Sequence, residues 1–158
     1  MISLTRVYSF SASHRLHSPH LTDAENAAMF GKCNNPYGHG HNYVLSVTAS
    51  GEVNEETGLL LPVSRLDRLV ETQVLHVFAH RNVNLDVPQF RDLVPTTENM
   101  ALVIAQLLQV KWDAYLSGIN ARVTRVHIQE TDRNGFEVRI PVVSRNESTK
   151  SEGALTHA

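Results

Sequence analysis

The sequence predicts an α+β domain in which two helices cover one face of an antiparallel four-stranded sheet. Apolar and polar residues alternate in four segments, as they do in strands with one buried face. Two further segments carry apolar residues at helical spacing, and the elements follow one another as strand, strand, helix, helix, strand, strand. A chain of 158 residues can bury one core of this kind, so we expect a single domain over residues 1–143.

The first two strands are predicted in segments that carry histidines. Alternation over residues 4–14 ends with His14, on the same face as the aromatic residue four positions earlier. Alternation over residues 39–51 begins with His39 and His41, which share a face because successive side chains on a strand point to opposite sides. Antiparallel pairing of these strands would bring the three histidines together.

Two helices are predicted in the middle of the chain. Apolar residues recur at helical spacing over residues 63–78. A second helix should begin at Thr96 or Thr97, because either hydroxyl can cap it and Glu98 then lies in the first turn, where a negative charge is favoured. Its apolar stripe comprises Ala101, Ile104, Ala105, Leu108 and Trp112.

A hairpin completes the predicted sheet. Residues 126–130 and 136–142 alternate, and Asn134-Gly135 between them is typical of a tight turn. The tail over residues 144–158 is polar and free of aromatic residues, so we expect it to be disordered.

Composition and charge narrow the class of function. A net charge of -2 argues against general nucleic-acid binding, so the partners should be small molecules or proteins. The single cysteine, Cys33, favours a reducing compartment, and the first residues lack the apolar stretch of a signal peptide. No apolar run reaches the roughly 18 residues that a membrane-spanning helix needs. We therefore expect a cytoplasmic protein that binds neither nucleic acid nor membrane.

The spacing of His39 and His41 is the first chemical signal. Residues two apart on a strand can both reach one metal ion, and Gly40 between them permits a close approach. With His14 as a third ligand, three imidazoles would leave the fourth position of zinc open for water or substrate, as in catalytic sites. The alternative is that these are unrelated surface or loop histidines.

Cys33 and His80 are candidates for proton transfer. Cys33 lies six residues before His39, so its thiol should be near the metal strand, where a cation and Lys32 would favour the thiolate. The alternative is a buried cysteine that acts as a small apolar group. His80 lies in a polar loop and could pair with the thiol.

Glu130 falls on the same side of its predicted strand as Val126 and Ile128, where an unpaired charge is costly. We expect it to have a partner. A carboxylate that accepts two parallel hydrogen bonds suits the amino-pyrimidinone edge of a pterin or a guanine. The alternative is a frayed strand end at which Glu130 is solvated.

Five segments carry specific motifs. They are S-F-S-A-S-H-R-L-H-S-P at 9–19, F-G-K-C-N-N-P-Y-G-H-G-H-N-Y at 30–43, N-L-D-V-P-Q-F at 84–90, T-T-E-N at 96–99 and E-T-D at 130–132. In type, order and spacing they resemble the eukaryotic 6-pyruvoyl tetrahydropterin synthases, and the resemblance extends over residues 6–142. The gap between Cys33 and His39 is longer than is usual in the related bacterial 6-carboxytetrahydropterin synthases, which favours the first family.

The resemblance implies a tunnelling fold, in which subunits join their sheets into a barrel and two trimers stack into a homohexamer with active sites between subunits. It also implies that 7,8-dihydroneopterin triphosphate is converted to 6-pyruvoyl tetrahydropterin with elimination of triphosphate, a step of tetrahydrobiopterin biosynthesis. This is the activity of a carbon–oxygen lyase acting on phosphates.

The same resemblance assigns a role to each candidate residue. Zinc would be held by His14, His39 and His41. Cys33, with His80 beside it, would remove the proton that the zinc makes acidic. The substrate-binding residues would be Glu130, Thr96, Thr97, Arg15 and Lys32. Of these, Glu130 would anchor the pterin with the threonines nearby, and the two cations are candidates for the triphosphate.

Ala79 departs from the family pattern, which has an aspartate immediately before the histidine of the N-L-D loop, here His80. A carboxylate behind a histidine fixes its tautomer, and its loss from a serine-protease triad lowers turnover on the order of 10⁴-fold. Three explanations stay open: a substitution that traps substrate, a homologue with altered chemistry, or replacement by another carboxylate such as Asp86. A catalytically impaired pterin-binding homologue and a 6-carboxytetrahydropterin synthase-type activity are the alternative functions.

Overall fold

A five-stranded sheet and five helices form the chain in a computed structural model that describes residues 1–141. The strands are β1 (Ile2–His14), β2 (His39–Gly51), β3 (Arg81–Asn82), β4 (Ala121–Thr131) and β5 (Asn134–Arg139). The helices are α1 (Asp23–Phe30), α2 (Val63–Val70), α3 (His76–Phe78), α4 (Val83–Asp86) and α5 (Thr97–Leu116). The predicted boundary at residue 143 and the tail over residues 144–158 lie outside the described part. Within residues 1–141, no helix is both long enough and apolar enough to cross a bilayer.

The core lies between one face of the sheet and the helices α2 and α5. Alternation on β1, β2 and β4 sends one set of side chains inward, and α5 adds the apolar stripe expected from the sequence. The largest fully buried side chains include Trp112, Tyr43, Phe78, Leu45 and Ile104. Burying an apolar side chain of this size contributes roughly 1.5–3 kcal/mol. Packing of α5 on β4 therefore holds the first turn of this helix at a defined place above the sheet.

The strand β3 corrects the prediction of a four-stranded antiparallel sheet. The strand order is β3-β1-β2-β4-β5, and β3 pairs in parallel with Ala12 and Ser13 of β1. A strand of two residues has no alternation to detect, so its pairing depends on where the folded chain brings it. The other four strands are antiparallel neighbours.

Residues 63–78 are helical as expected, but their middle turn is π-helical. A π turn of five residues separates α2 from α3. Because this wider turn advances each residue by a smaller angle, it shifts the buried face by one position along the sequence. A regular α-helix that buries Leu66, Leu69 and Val70 would next bury Gln73 and Val77, whereas the structure buries Val74 and Phe78 completely.

The turn between β4 and β5 lies earlier than Asn134-Gly135, where the sequence predicts it. Thr131 pairs with Asn134, so residues 132–133 form the turn. A β-bulge at the end of β4 adds one residue to this strand and so moves the turn. Gly135 lies in β5 instead, where a Cβ atom would come within 2.7 Å of the His127 ring.

Helix α1 is not among the elements predicted from the sequence, although its sequence carries a capping box. The Thr22 hydroxyl accepts from the Glu25 N–H, and the Glu25 carboxylate accepts from the Thr22 N–H at 2.8 Å. The only buried side chain among its eight residues is that of Asn26, so the helix lacks an apolar stripe. Asn26 instead bonds the backbone of Ser18 in the preceding loop. The helix leads directly into the 3₁₀ turn Gly31–Asn34.

Candidate active site

Three histidines lie together at the end of the sheet where β1 stops and β2 begins. His14 pairs with His39 across the two strands, and His41 lies one pleat further along β2 on the same face. Their ligand nitrogens lie within 4.8 Å of one another. His14 is fully buried, while His39 and His41 are partly exposed. The cluster is therefore capable of holding a metal ion that a small molecule can reach.

A backbone carbonyl sets the orientation of His14. Its Nδ1 donates to the Pro95 carbonyl at 2.8 Å, because a carbonyl oxygen can only accept. The neutral ring therefore has its lone pair on Nε2, which lies 3.1 Å from Nε2 of His39. Burial lowers the pKa of His14, and the two neighbouring histidines also act in this direction. The neutral form, which binds metals, is favoured.

The surroundings of the His41 ring also favour a bound cation. Its Nε2 is buried, and this atom has no hydrogen-bond partner among residues 1–141. A buried ring nitrogen without a partner costs free energy unless a bound group engages it. Burial also lowers the pKa of His41, which favours the neutral ring. The three rings together fit a cation better than a closed hydrogen-bond network.

Glu130 closes one side of the histidine cluster. It lies at the β-bulge, where the register of β4 on β5 shifts. Its Oε1 lies 3.6 Å from His41 Nε2 and 3.8 Å from His14 Nε2. The Thr97 hydroxyl donates to the same oxygen at 2.7 Å. Only 14% of the Glu130 side chain is exposed, so the carboxylate lies inside the site rather than in solvent.

Thr96 and Thr97 begin α5 with different contacts. Thr96 is the N-cap, and its hydroxyl accepts from the Asn99 N–H at 3.2 Å. Thr97 is the first helical residue, and its buried side chain faces Glu130. Both threonines are candidates for substrate binding from the resemblance. In the structure Thr97 contacts the Glu130 carboxylate, whereas the Thr96 hydroxyl caps the helix.

Cys33 is partly buried on the 3₁₀ turn that precedes β2. Its carbonyl accepts from the Leu16 N–H at 2.8 Å, which ties the turn to the segment after β1. Burial raises the pKa of the Cys33 thiol, and the charge of Glu130 adds to the increase. The expected help from Lys32 is small, because this side chain is exposed and water screens its charge.

Arg15 lies beside the same turn. Its Nε donates to the Asn34 carbonyl at 3.1 Å, and its backbone groups bond the side chain of Asn84. Lys32 belongs to the turn itself. Both cations that the sequence proposes for the triphosphate are therefore neighbours of the segment that carries Cys33.

His80 is not part of the histidine cluster. Its backbone has a positive φ of 59°, and its N–H donates to the Ser11 carbonyl at 2.7 Å. A non-glycine residue in this conformation costs on the order of 1 kcal/mol. The exposed ring lines an open cleft of about 370 Å³ together with Ser11, Ser13 and Asn42.

Ala79 precedes His80 and packs its methyl group against the core. Asp86, suggested above as a replacement for the family aspartate, accepts from the Asn82 N–H at 2.8 Å. This bond joins the last residue of α4 to the end of β3. The Asp86 carboxylate is thus engaged with the backbone of β3 rather than with the imidazole of His80.

Two groups at the site were not singled out from the sequence. The Pro95 carbonyl orients His14. It could not be predicted from the sequence, because every residue has a backbone carbonyl. Tyr43 lies two residues after His41 on the same face of β2, so the alternation of side chains along this strand could have predicted that Tyr43 lies next to the site. Its ring stacks on Phe10 at a centroid distance of 5.2 Å.

Residues 3–141 match the model of the family described as 6-pyruvoyl tetrahydropterin synthase. The chain belongs to this family. It is 44% identical over 132 residues to the 6-pyruvoyl tetrahydrobiopterin synthase of Poecilia reticulata, and the match covers 83% of this chain and 85% of the relative. The 6-pyruvoyl tetrahydrobiopterin synthase of Homo sapiens is 43% identical over 132 residues, with 83% and 86% covered. The structure of Caenorhabditis elegans 6-pyruvoyl tetrahydropterin synthase matches with a TM-score of 0.79 and 39% identity, covering 89% of this chain and 96% of that chain.

Membership of the 6-pyruvoyl tetrahydropterin synthase family confirms the resemblance inferred from the five motifs. The match to the Caenorhabditis elegans structure shows that the α+β fold is that of this family. The matched residues contain the whole histidine cluster together with Glu130 and Cys33.

Proposed function

We propose that this chain catalyses the zinc-dependent conversion of 7,8-dihydroneopterin triphosphate to 6-pyruvoyl tetrahydropterin in tetrahydrobiopterin biosynthesis. One observation carries the proposal: the three histidines form a cluster, and Oε1 of Glu130 lies 3.6 Å from His41 Nε2. A histidine cluster that can hold a metal ion, beside a carboxylate that is only 14% exposed, suits a reaction that needs both an activated hydroxyl and an anchored ring. Relatives named 6-pyruvoyl tetrahydrobiopterin synthase support the class, a carbon–oxygen lyase acting on phosphates.

His14, His39 and His41 would hold the zinc ion. Three neutral imidazoles suit this metal and leave a position for a substrate oxygen. The Pro95 carbonyl behind His14 supports this assignment, because metal-binding histidines usually donate their other ring N–H to such a group. When bound, zinc supplies Lewis acidity, which makes the C–H beside a side-chain hydroxyl easier to deprotonate.

Cys33 is the base in this proposal. Burial and the charge of Glu130 raise the pKa of its thiol, so the thiolate requires a cation nearby. A cation at the histidines and the guanidinium of Arg15 beside the same turn meet this requirement. His80 would exchange the proton with the thiolate from a neighbouring subunit, since in its own chain it lies outside the histidine cluster.

Glu130 would anchor the pterin ring. A carboxylate can accept both N–H groups of an amino-pyrimidinone edge in parallel, and the Thr97 hydroxyl already bonds one of its oxygens. Thr96 contributes by capping the helix that carries Thr97. Arg15 and Lys32 would contact the triphosphate, whose negative charge they match.

The proposed reaction balances without an external oxidant or reductant. Elimination removes triphosphate from the terminal side-chain carbon and a proton from the carbon next to it, and the resulting enol becomes a ketone with a methyl group. The remaining hydroxyl carbon is oxidised to a ketone while the C=N bond of the ring takes up two hydrogens. The residues of the chain therefore only have to move protons, which suits a thiol with an imidazole partner.

We also propose a homohexamer of two stacked trimers. The outer edge of β1 is paired only at Ala12 and Ser13, so most of this edge is open within residues 1–141. The outer edge of β5 has no partner strand in the described part either. Open edges favour pairing with another chain, and β1 exposes the apolar residues Ile2 and Val7. Joining these edges between subunits would close a barrel, with active sites between subunits.

A catalytically impaired homologue that binds pterin is the second candidate. Ala79 favours it, because this position carries no carboxylate and Asp86 bonds the Asn82 N–H instead. A 6-carboxytetrahydropterin synthase-type activity is the remaining alternative, and it would differ in the product. A cytoplasmic location stays a prediction from the single cysteine.

A reconstituted reaction tests the proposed function. Zinc-loaded protein is incubated with 7,8-dihydroneopterin triphosphate, and triphosphate release, product mass and metal content are measured. Release together with formation of 6-pyruvoyl tetrahydropterin supports the proposal. Binding of zinc and substrate without release, in both the unsubstituted chain and Ala79→Asp, contradicts a synthase. A chain that retains no zinc contradicts the mechanism.

Replacing Glu130 by glutamine should weaken pterin binding. Glutamine presents one acceptor and one donor where the substrate offers two donors. Because a hydrogen bond to a charged group contributes about 1.5–3 kcal/mol, we expect KM to rise about 10- to 100-fold. Glu137→Gln is the matched control, since Glu137 bonds Arg125 and Arg139 on the β4–β5 hairpin and does not belong to the site formed by His14, His39 and His41. An unchanged KM in Glu130→Gln would show that this carboxylate does not anchor the ring.

A further inference from the structure

Tyr43 carries a buried hydroxyl with no hydrogen-bond partner among residues 1–141. The side chain is fully buried, and its ring stacks on Phe10 across the β1–β2 pair. A phenylalanine would make the same ring contacts. A buried hydroxyl without a partner costs about 1–3 kcal/mol, so the hydroxyl lowers the stability of the protein in this state.

The position of Tyr43 brings this hydroxyl to the polar groups of the site. β2 lies between β1 and β4, so Tyr43 has Phe10 on one side and the bulge at Glu130 on the other. Its ring centroid lies 5.6 Å from that of His41. A phenol ordinarily titrates at about pH 10, so the hydroxyl carries its proton at neutral pH and can donate one hydrogen bond.

Thr97 is the present partner of the carboxylate. Its hydroxyl donates to Glu130 Oε1, the oxygen that also lies 3.6 Å from His41 Nε2. A pterin edge would lie in the plane of the Glu130 carboxylate and donate one hydrogen bond to each of its two oxygens, in parallel. A carboxylate in that orientation still has lone pairs for donors behind it. Tyr43 can supply such a donor, because the pairing of Val44 with Gln129 places Tyr43 and Glu130 at neighbouring positions of β2 and β4.

We infer that Tyr43 is a positioning residue, whose hydroxyl donates to the Glu130–Thr97 pair when a pterin occupies the site and fixes the carboxylate for binding. The inference rests on the proposed function, because it needs a pterin at Glu130. The hydroxyl oxygen is buried, so in this inference it acts through Glu130 and not by contacting the pterin itself. The unpaired hydroxyl lowers the stability of the ligand-free protein but strengthens pterin binding, a trade-off that is common in functional sites.

Tyr43→Phe tests this inference, because it keeps the ring and removes only the hydroxyl. We expect the unfolding midpoint of the zinc-loaded, ligand-free protein to stay unchanged or to rise by about 2–4 °C. The Kd for biopterin, a pterin without triphosphate that cannot react, should rise about fivefold, as expected for one lost hydrogen bond. KM for the substrate should rise likewise, with little change in kcat.

Tyr8→Phe is the matched control. The Tyr8 hydroxyl donates to Asp67 at 2.8 Å on the helix-facing side of β1, away from the histidines. Its removal should lower the unfolding midpoint and leave the Kd for biopterin unchanged, the reverse of the result expected for Tyr43→Phe.

Two results would overturn the role of Tyr43: a lower unfolding midpoint in Tyr43→Phe, or a Kd for biopterin equal to that of the unsubstituted chain. Unsubstituted protein that does not bind biopterin at all would contradict the proposed function and this inference together. Binding by the unsubstituted chain with no effect of Tyr43→Phe would contradict only the inference.

Discussion

Replacing His39 by alanine should lower the rate of triphosphate release by at least about 10³-fold, because a Lewis acid contributes several kcal/mol to such a step. His39 is partly exposed, so its removal takes away a metal ligand without opening the core, as a change at the buried His14 would. Two remaining imidazoles should not retain the ion during dialysis. Metal content and rate, measured on the same samples, should therefore fall together.

His76→Ala is the matched control for this prediction. His76 is exposed on α3 and does not belong to the cluster. The control should keep both its metal content and its rate. Full activity in a metal-free His39→Ala protein would contradict a metal role for the three histidines.

Replacing Ala79 by aspartate should raise kcat by about 10²- to 10⁴-fold, the scale of the effect when a carboxylate behind a catalytic histidine is removed. The new carboxylate would directly precede His80. It would fix the tautomer of the imidazole and stabilise its protonated form. Initial rates of triphosphate release at saturating substrate measure the effect.

Ala79→Asn separates the charge from the size of the new side chain. Ala79 packs against the core, so both variants can lose some stability, and their unfolding midpoints should be compared. The asparagine variant should not show the gain in kcat. Equal kcat values in the unsubstituted chain and both variants would show that the reaction does not depend on a carboxylate at this position.

The arrangement of the histidine cluster follows from the alternation of side chains along two strands, which is visible in the sequence. Alternation on β1 and β2 places His14, His39 and His41 on one face, and antiparallel pairing then aligns His14 with His39. Side-chain alternation is a local property of a strand, so it can be read without knowing the fold. The same holds for the cap and the apolar stripe of α5, which begins at Thr97 with Thr96 as its N-cap.

The surroundings of the cluster could not be found in this way. The Pro95 carbonyl reaches His14 from a loop 81 positions away, and the Thr97 hydroxyl reaches Glu130 from 33 positions away. The pairing of β3 with β1 likewise joins distant segments. Such contacts depend on how the helices pack on the sheet, and no local pattern encodes them.

By itself, the sequence determined the α+β class, the main strands and helices and the residue types of the histidine cluster, because local periodicity and motif spacing carry this information. Only the tertiary structure decided that Glu130 lies at a bulge beside His41, that His80 stays outside the cluster and that the hydroxyl of Tyr43 is buried without a partner among residues 1–141. These features depend on strand register and on contacts between distant segments. The three histidines are therefore visible in the sequence, while the groups proposed to position the substrate beside them become visible only in the fold.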